Sequence, residues 1–174
     1  RELEMLGRIH TFEDFLDTWE TVRRAGFENV NIDLISAIPG QTVKSWEQTL
    51  RAAAELNPEH LSAYSLIIEE GTPFFDRYGE ESSVQAGGKE SMEEKEWLPL
   101  PDEDAEREIY RMTGRILKEY GYHRYEISNY AKEGCECRHN LGYWERKEYL
   151  GLGLGASSLV GERRFHNTAD LDKY

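Results

Sequence analysis

Apolar residues recur at helical spacing in three stretches of the chain, and shorter apolar runs separate these stretches. The first begins after Thr11, with Asp14 three residues on as its capping partner, and ends at Gly26. The second follows a Pro-Gly loop and covers residues 43 to 56, and the third covers residues 102 to 120. The pattern predicts three amphipathic helices.

Four shorter runs have the composition of strands, at residues 29–36, 61–69, 122–130 and 149–160, and the last is rich in glycine. Helices and strands therefore alternate along the chain. This alternation predicts an α/β fold with parallel strands and right-handed crossover helices. Three or four strands form only part of a barrel or an open sheet, so we expect one exposed parallel edge.

The first strand has two chemically different faces. Residues 30, 32 and 34 are Val, Ile and Leu, whereas residues 29, 31 and 33 are Asn, Asn and Asp. A parallel strand covered on both sides is normally apolar throughout. Asp33 therefore either contacts a polar ligand near the carboxyl end of the strand or lies on a solvated outer face, and the pattern alone favours neither.

The chain has 174 residues, a formal net charge of −13 and a pI near 4.9. This acidity argues against a nucleic-acid partner, because phosphate recognition draws on clustered Lys and Arg. No long apolar segment or signal peptide is visible, and two cysteines are too few for a disulfide scaffold. These features predict a cytoplasmic protein without a transmembrane segment.

Composition also suggests how the chain is divided. Residues 1–132 carry the helix and strand pattern, and within them residues 79–99 are rich in Gly, Ser and Glu, which predicts a flexible insert. Residues 133–174 form a polar connection followed by the glycine-rich run. The chain begins within what reads as a helix end, so we expect a fragment of a longer protein.

Several small clusters are candidates for chemistry. Cys135-x-Cys137-x-His139 is poorly spaced for structural zinc, and a pair of ordinary loop thiols is the favoured alternative. The Gly-x-Gly-x-Gly run at residues 151–155 lacks the helix of a dinucleotide site, and indicates either close approach of a ligand ring or a tight bend. Arg8 and His10 precede a helix and have the chemistry to bind an anion or a carboxylate, but a surface pair is the favoured interpretation.

His139, Tyr143 and Trp144 place an imidazole and two large rings within six residues. An imidazole can bind haem iron, and flat aromatic rings can stack on a macrocycle. From spacing alone, a packed core cluster is the favoured interpretation.

Six sequence blocks together resemble the radical S-adenosylmethionine (SAM) family of oxygen-independent coproporphyrinogen III oxidases, and within it the haem-chaperone branch. The blocks are Leu6-Gly7-Arg8-Ile9-His10, Asn31-Ile32-Asp33-Leu34 with Pro39-Gly40-Gln41-Thr42, Tyr125-Glu126-Ile127-Ser128-Asn129, Cys137-Arg138-His139-Asn140, Tyr143-Trp144 and Leu150-Gly151-Leu152-Gly153. They follow the family's order over nearly the whole chain.

The resemblance implies the second half of a partial (β/α)6 radical SAM barrel, with a 4Fe-4S cluster and S-adenosylmethionine in the full-length protein. It implies that Arg8 and Asp33 line the S-adenosylmethionine pocket. His139, Asn140, Tyr143 and Trp144 match the motif that separates the haem-chaperone branch from the oxidases, so they are expected to bind haem.

Two departures from the family pattern limit what the chain does alone. The cluster-binding CxxxCxxC motif is absent, so no cluster metal ligand and no catalytic residue is assigned here, and the fragment is expected to be inactive as an enzyme. Ser36-Ala37-Ile38 stands where the family more often has an aromatic-Gly-Leu run.

Three functions follow from these observations. The first is a chaperone that passes haem to a recipient haemoprotein, and the second is an oxidase that decarboxylates a porphyrinogen. The third is an inactive scaffold that requires the rest of the protein.

Overall fold

A computed structural model describes residues 2–79 and 98–174 of the chain. They form two compact units, residues 1–135 and residues 136–174, and each is described by itself. The predicted insert at residues 79–99 lies almost wholly outside the described residues. No helix in the described ranges is both long and apolar enough to cross a membrane.

All three predicted helices are present in the first unit. They are α2 (Phe12–Arg24), α3 (Val43–Glu55) and α5 (Glu103–Glu119). Thr11 and Asp14 form the predicted capping box on α2, Thr42 and Ser45 form another on α3, and the Asp102 carboxylate caps α5. Two short helices that the pattern did not predict are α1 (Glu2–Met5) and α4 (Pro73–Tyr78).

The sheet of this unit has, in the described residues, four strands in the order β1-β2-β4-β3. Strand β1 (Asn31–Ser36) pairs in parallel with β2 (His60–Ser65), with Asn31 opposite His60 and Asp33 opposite Ser62. Within the described part of the chain β1 has no partner on its other side, which agrees with the expected exposed edge.

The prediction of one parallel strand at residues 122–130 is wrong. The chain instead forms a hairpin of β3 (His123–Arg124) and β4 (Asn129–Ala131), and β4 runs antiparallel to both β3 and β2. The Glu126 carboxylate accepts hydrogen bonds from the Ser128 amide at 2.7 Å and the Asn129 side chain at 2.6 Å, which closes the turn. Strand β3 consequently keeps the direction of β2, and β4 lies between them.

The core of the first unit lies between one face of the sheet and the helices α3 and α5. Its fully buried side chains include Trp46, Leu50, Leu61, Ile116, Leu117 and Tyr130. Ile32 is buried in the same cluster and Leu34 packs against it, as the alternation in the first strand predicts. Asp33 is exposed on the opposite face of the sheet.

The second unit differs most from its predicted structure. Residues 138–144 form a helix, α6 (Arg138–Trp144), where a polar connection was expected. The predicted strand at residues 149–160 is confined to β5 (Ser157–Val160), which pairs antiparallel with β6 (Arg163–His166), and a 3-10 turn follows at Leu171–Lys173.

The Gly-rich segment is a tight bend rather than a strand. A Cβ atom on Gly151 would lie 2.1 Å from the Ser157 carbonyl oxygen, so the close approach is to the chain's own backbone. The side-chain amide of Asn167 donates to the carbonyls of Gly151 and Gly153 at 3.2 and 2.9 Å. The absence of a side chain at Gly151 is therefore required by the fold of this unit.

Candidate functional site

The sheet face away from the core carries a row of polar side chains. Residues opposite one another in neighbouring strands project to the same face, so the register places Asn31, Asp33, His60 and Ser62 together. His60 and Ser62 are buried, whereas Asn31 and Asp33 are exposed. Burying a polar group is costly unless it is hydrogen-bonded, and the side chains of His60 and Ser62 both form hydrogen bonds.

Hydrogen bonds join these side chains in one line. The Asn31 side-chain nitrogen donates to Asp33 Oδ1 at 2.7 Å, and the Asn31 oxygen lies 2.6 Å from His60 Nδ1. The other ring nitrogen of His60 lies 2.8 Å from the hydroxyl of Tyr125. The Ser62 hydroxyl accepts a hydrogen bond from the Asn31 side-chain nitrogen at 3.2 Å and donates one to the Asn31 side-chain oxygen at 3.3 Å.

Arg8 and Asp33 border the same cavity, which has a volume of about 690 Å³. Asp33, Leu34 and Ile35 are consecutive residues of β1 and all line it, so the cavity runs along the open edge of that strand. His10 and Ile38 also line it. The structure thus brings the sequence-predicted pair Arg8 and Asp33 to one cavity, together with His10 and apolar surface.

The loop after β1 has an unusual backbone at one of the positions that depart from the family pattern. Ala37 has a φ of +58°, a region where glycine is favoured and other residues are strained. Its backbone N–H donates to the Gln41 side-chain oxygen at 2.7 Å. That buried hydrogen bond holds the loop beside Ile38 and hence shapes one wall of the cavity.

Glu126 is the carboxylate of the β3–β4 turn. Its partial burial would raise its pKa, but the N–H groups of Ser128 and the Asn129 side chain outweigh this effect and hold the pKa below its usual value. Glu126 is therefore ionised near neutral pH and serves as a hydrogen-bond acceptor that fixes the turn.

The second unit presents the other group of predicted residues on α6. His139 and Tyr143 lie one helical turn apart, and their rings meet edge-to-face with centroids 4.6 Å apart. Tyr143 in turn packs edge-to-face on Tyr149 at 4.8 Å. His139, Tyr143 and Trp144 are exposed and Asn140 is half-buried, so this is a surface cluster and not the packed core that spacing alone favoured.

Metal ligands are not gathered anywhere in the described part of the chain, where no three His, Cys, Asp or Glu side chains lie close enough to hold an ion. Cys135 and Cys137 are half-buried, and neither is part of a disulfide. The zinc interpretation of these cysteines and His139 therefore has no structural support.

Sequence reasoning missed His60, Ser62 and Tyr125 as members of the polar row. A usable signal was present, because His60 and Ser62 alternate with Leu61 and Ala63 just as Asn31 and Asp33 alternate with apolar residues. Tyr125 carried no such pattern, since its position depends on the β3–β4 hairpin.

No protein-family model matches the chain. Curated relatives do match: the haem chaperone HemW of Bacillus subtilis is 37% identical over 172 residues, covering 99% of this chain and 41% of the relative. HemW of Lactococcus lactis is 36% identical over the same shares. A mitochondrial radical S-adenosyl methionine domain-containing protein 1 from Mus musculus is 36% identical over 89% of this chain and 32% of its own length.

A solved structure has the same fold. It is that of coproporphyrinogen III oxidase (HemN) from Escherichia coli, a radical SAM enzyme, with a TM-score of 0.69 and 22% sequence identity over 99% of this chain and 39% of that one. The chain thus spans between about a third and two fifths of the length of these proteins. It is homologous to the HemW haem chaperones and shares the fold of the radical SAM enzyme HemN.

Proposed function

We propose that the protein to which this chain belongs is a haem chaperone that takes up haem and passes it to a recipient haemoprotein. The observation that carries the proposal is the 37% identity to a HemW protein across 99% of the chain. The proposal concerns the whole protein, because the chain spans 41% of that relative. Its proposed location is the cytoplasm, in line with two cysteines that form no disulfide.

The exposed cluster on α6 is the proposed haem contact. His139 presents its imidazole at the surface, supported from one side by the ring of Tyr143. Haem is a flat, largely apolar macrocycle whose iron accepts an imidazole nitrogen, and aromatic rings such as Trp144 provide flat apolar surface. Asn140 lies on the same helix and would add a hydrogen-bonding group. The donor set therefore fits haem.

Arg8 and Asp33 are the proposed contacts for S-adenosylmethionine, the cofactor after which the family is named. The cavity that they border combines a cation, a carboxylate and the apolar residues Ile35 and Ile38. S-adenosylmethionine has a flat base, hydroxyl groups, an ammonium group and a carboxylate, so this combination fits it. Asp33 would accept hydrogen bonds from its hydroxyl or ammonium groups, and Arg8 would pair with its carboxylate.

The residues described do not fit the 4Fe-4S cluster implied by the resemblance. A cluster of this kind needs thiolate ligands, and no cluster-forming group of Cys or His is present in the described ranges. Oxidative decarboxylation of a porphyrinogen is the second candidate, favoured by the likeness in fold to HemN. That likeness, at 22% identity, concerns the fold alone.

Haem titration of the native full-length protein tests the chaperone proposal. Parent, His139→Ala and His166→Ala proteins are titrated with haem and followed by absorbance. His166 is a matched control because it is an exposed histidine of the same unit. Loss of an axial imidazole should weaken haem binding by about tenfold or more in His139→Ala, an energy of about 1.4 kcal/mol. His166→Ala should bind like the parent.

Two results would contradict the proposal in different ways. A parent protein without measurable haem binding would contradict the chaperone function. Equal haem affinity of the parent and His139→Ala would contradict the role of this residue. Conversion of coproporphyrinogen III to protoporphyrinogen by the cluster-loaded protein would favour the oxidase instead.

A further inference from the structure

For an ionised carboxylate and a neutral His60 ring, the row of hydrogen bonds that leads to Asp33 has a single internally consistent direction. An ionised carboxylate only accepts hydrogen bonds, so Asn31 must point its nitrogen at Asp33, 2.7 Å away. The Asn31 oxygen is then the atom that lies 2.6 Å from His60 Nδ1. Since this oxygen is also an acceptor only, His60 must carry a hydrogen on Nδ1.

The rest of the line follows from that tautomer. Neutral His60 with a hydrogen on Nδ1 has a bare Nε2, which accepts a hydrogen bond from the Tyr125 hydroxyl at 2.8 Å. Tyr125 therefore donates to His60, His60 donates to Asn31, and Asn31 donates to Asp33. His60 is only 5% exposed, so its ring is held in place by packing as well as by hydrogen bonds.

We propose that His60 is a positioning residue for Asp33, fixing the orientation of the carboxylate through Asn31. With Oδ1 held by Asn31, no described residue donates to Oδ2 of Asp33, and this oxygen remains available to a donor group of a ligand in the cavity. A carboxylate held in one orientation binds such a donor at less entropic cost than a rotating one. The inference rests on the proposed ligand role of Asp33.

Two substitutions of His60 separate positioning from bulk packing. His60→Leu removes both ring nitrogens and leaves the Asn31 oxygen with only the longer hydrogen bond from the Ser62 hydroxyl, at 3.3 Å. His60→Asn places an amide near the position of Nδ1 and restores a donor towards Asn31. We expect the dissociation constant for S-adenosylmethionine to rise by about tenfold in His60→Leu, and His60→Asn to recover most of this loss.

A double-mutant cycle with Asp33→Asn shows whether His60 acts through Asp33. Binding of S-adenosylmethionine by the native full-length protein is measured by calorimetry for the parent, both single variants and the double variant. If His60 acts through Asp33, His60→Leu has little further effect once Asp33 is replaced. Equal weakening by His60→Leu in both backgrounds would overturn the proposal, and so would parent-like binding by His60→Leu.

The two proposals fail in distinguishable ways. A parent protein that does not bind S-adenosylmethionine, or an Asp33→Asn variant that binds it equally well, overturns the cofactor site and the role of His60 together. Haem binding at α6 is measured separately. If Asp33→Asn weakens binding while His60→Leu does not, only the positioning role is overturned.

A measurement on the unsubstituted protein keeps the proposal testable if His60→Leu does not fold. Nitrogen-15 spectra of histidine-labelled protein distinguish the two neutral tautomers of an imidazole. The direction of the line requires His60 to carry its hydrogen on Nδ1, with or without ligand. A hydrogen on Nε2 in the neutral ring would overturn the proposal.

Discussion

The indole nitrogen of Trp46 donates a hydrogen bond to the hydroxyl of Thr113 at 2.8 Å, in the centre of the core. The Thr113 hydroxyl in turn donates a hydrogen bond to the Ile109 carbonyl at 2.7 Å. The indole N–H and the hydroxyl are therefore both hydrogen-bonded within the protein. Trp46 lies on α3 and Thr113 on α5. This pair therefore fixes how the two helices meet over the sheet.

Thr113→Val should destabilise the protein by about 1–3 kcal/mol, because it leaves the buried indole N–H without an acceptor while conserving volume. Urea denaturation measures the free energy of unfolding. Trp46→Phe provides the control background, since it removes the donor. The cost of Thr113→Val should fall there by about 1 kcal/mol or more, and an unchanged cost would show that the hydrogen bond contributes nothing.

Glu59 forms a partly buried ion pair with Arg23 at 2.8 Å, in which the side chains of Glu59 and Arg23 are 19% and 27% exposed. Partial burial would raise the pKa of Glu59, but the Val30 amide at 3.0 Å and the Arg23 guanidinium hold it below its usual value of 4.5. Glu59→Gln should cost about 1–2 kcal/mol at pH 7.

The cost of Glu59→Gln should depend on pH with a definite sign. A lowered pKa stabilises the folded protein above pH 4.5, and the contribution disappears as pH falls through the pKa of the folded state. The stability difference between parent and variant should therefore shrink in acid. Glu47→Gln is the control, because its exposed pair with Arg51 should contribute about 0.5 kcal/mol or less. A pH-independent difference at Glu59 would contradict the assignment.

Gly151→Ala should destabilise the second unit by about 1–3 kcal/mol, since the new methyl group would collide with backbone atoms of Ser157 that cannot move aside. Gly142→Ala is the matched control within α6, because its Cβ would meet only the Lys147 side chain, 3.8 Å away. This change should be neutral or stabilising, as alanine favours helix. Hydrogen exchange of the β5 amides measures the difference, and equal protection in the two variants would refute the explanation.

The three main helices could be predicted from the sequence because their signals are local. Capping residues such as Thr11 and Thr42 bond to backbone only three residues away, and the apolar spacing of a helix is visible within four residues. The two faces of β1 were visible for the same reason, since alternation is a property of neighbouring positions.

The β3–β4 hairpin and helix α6 could not be predicted in this way. The stretch 122–130 has strand composition throughout, and only the hydrogen bonds of Glu126 to Ser128 and Asn129 reverse the chain within it. Helix α6 has seven residues, about two turns, which is shorter than the window of eleven or more residues in which helical spacing is distinctive. Its N-cap residue, Cys137, makes no side-chain capping bond.

By itself, the sequence determined the three helices, the apolar and polar faces of the first strand, and the candidate residues Asp33 and His139. Only the tertiary structure decided that Arg8 and Asp33 line one cavity and that His139 is exposed. It also decided that hydrogen bonds connect Tyr125 and His60 to Asp33 through Asn31. The reason is physical. Periodicity and capping depend on residues a few positions apart, whereas Arg8 and Asp33 are 25 positions apart and His60 and Tyr125 are 65 positions apart. Only the folded chain brings such residues together.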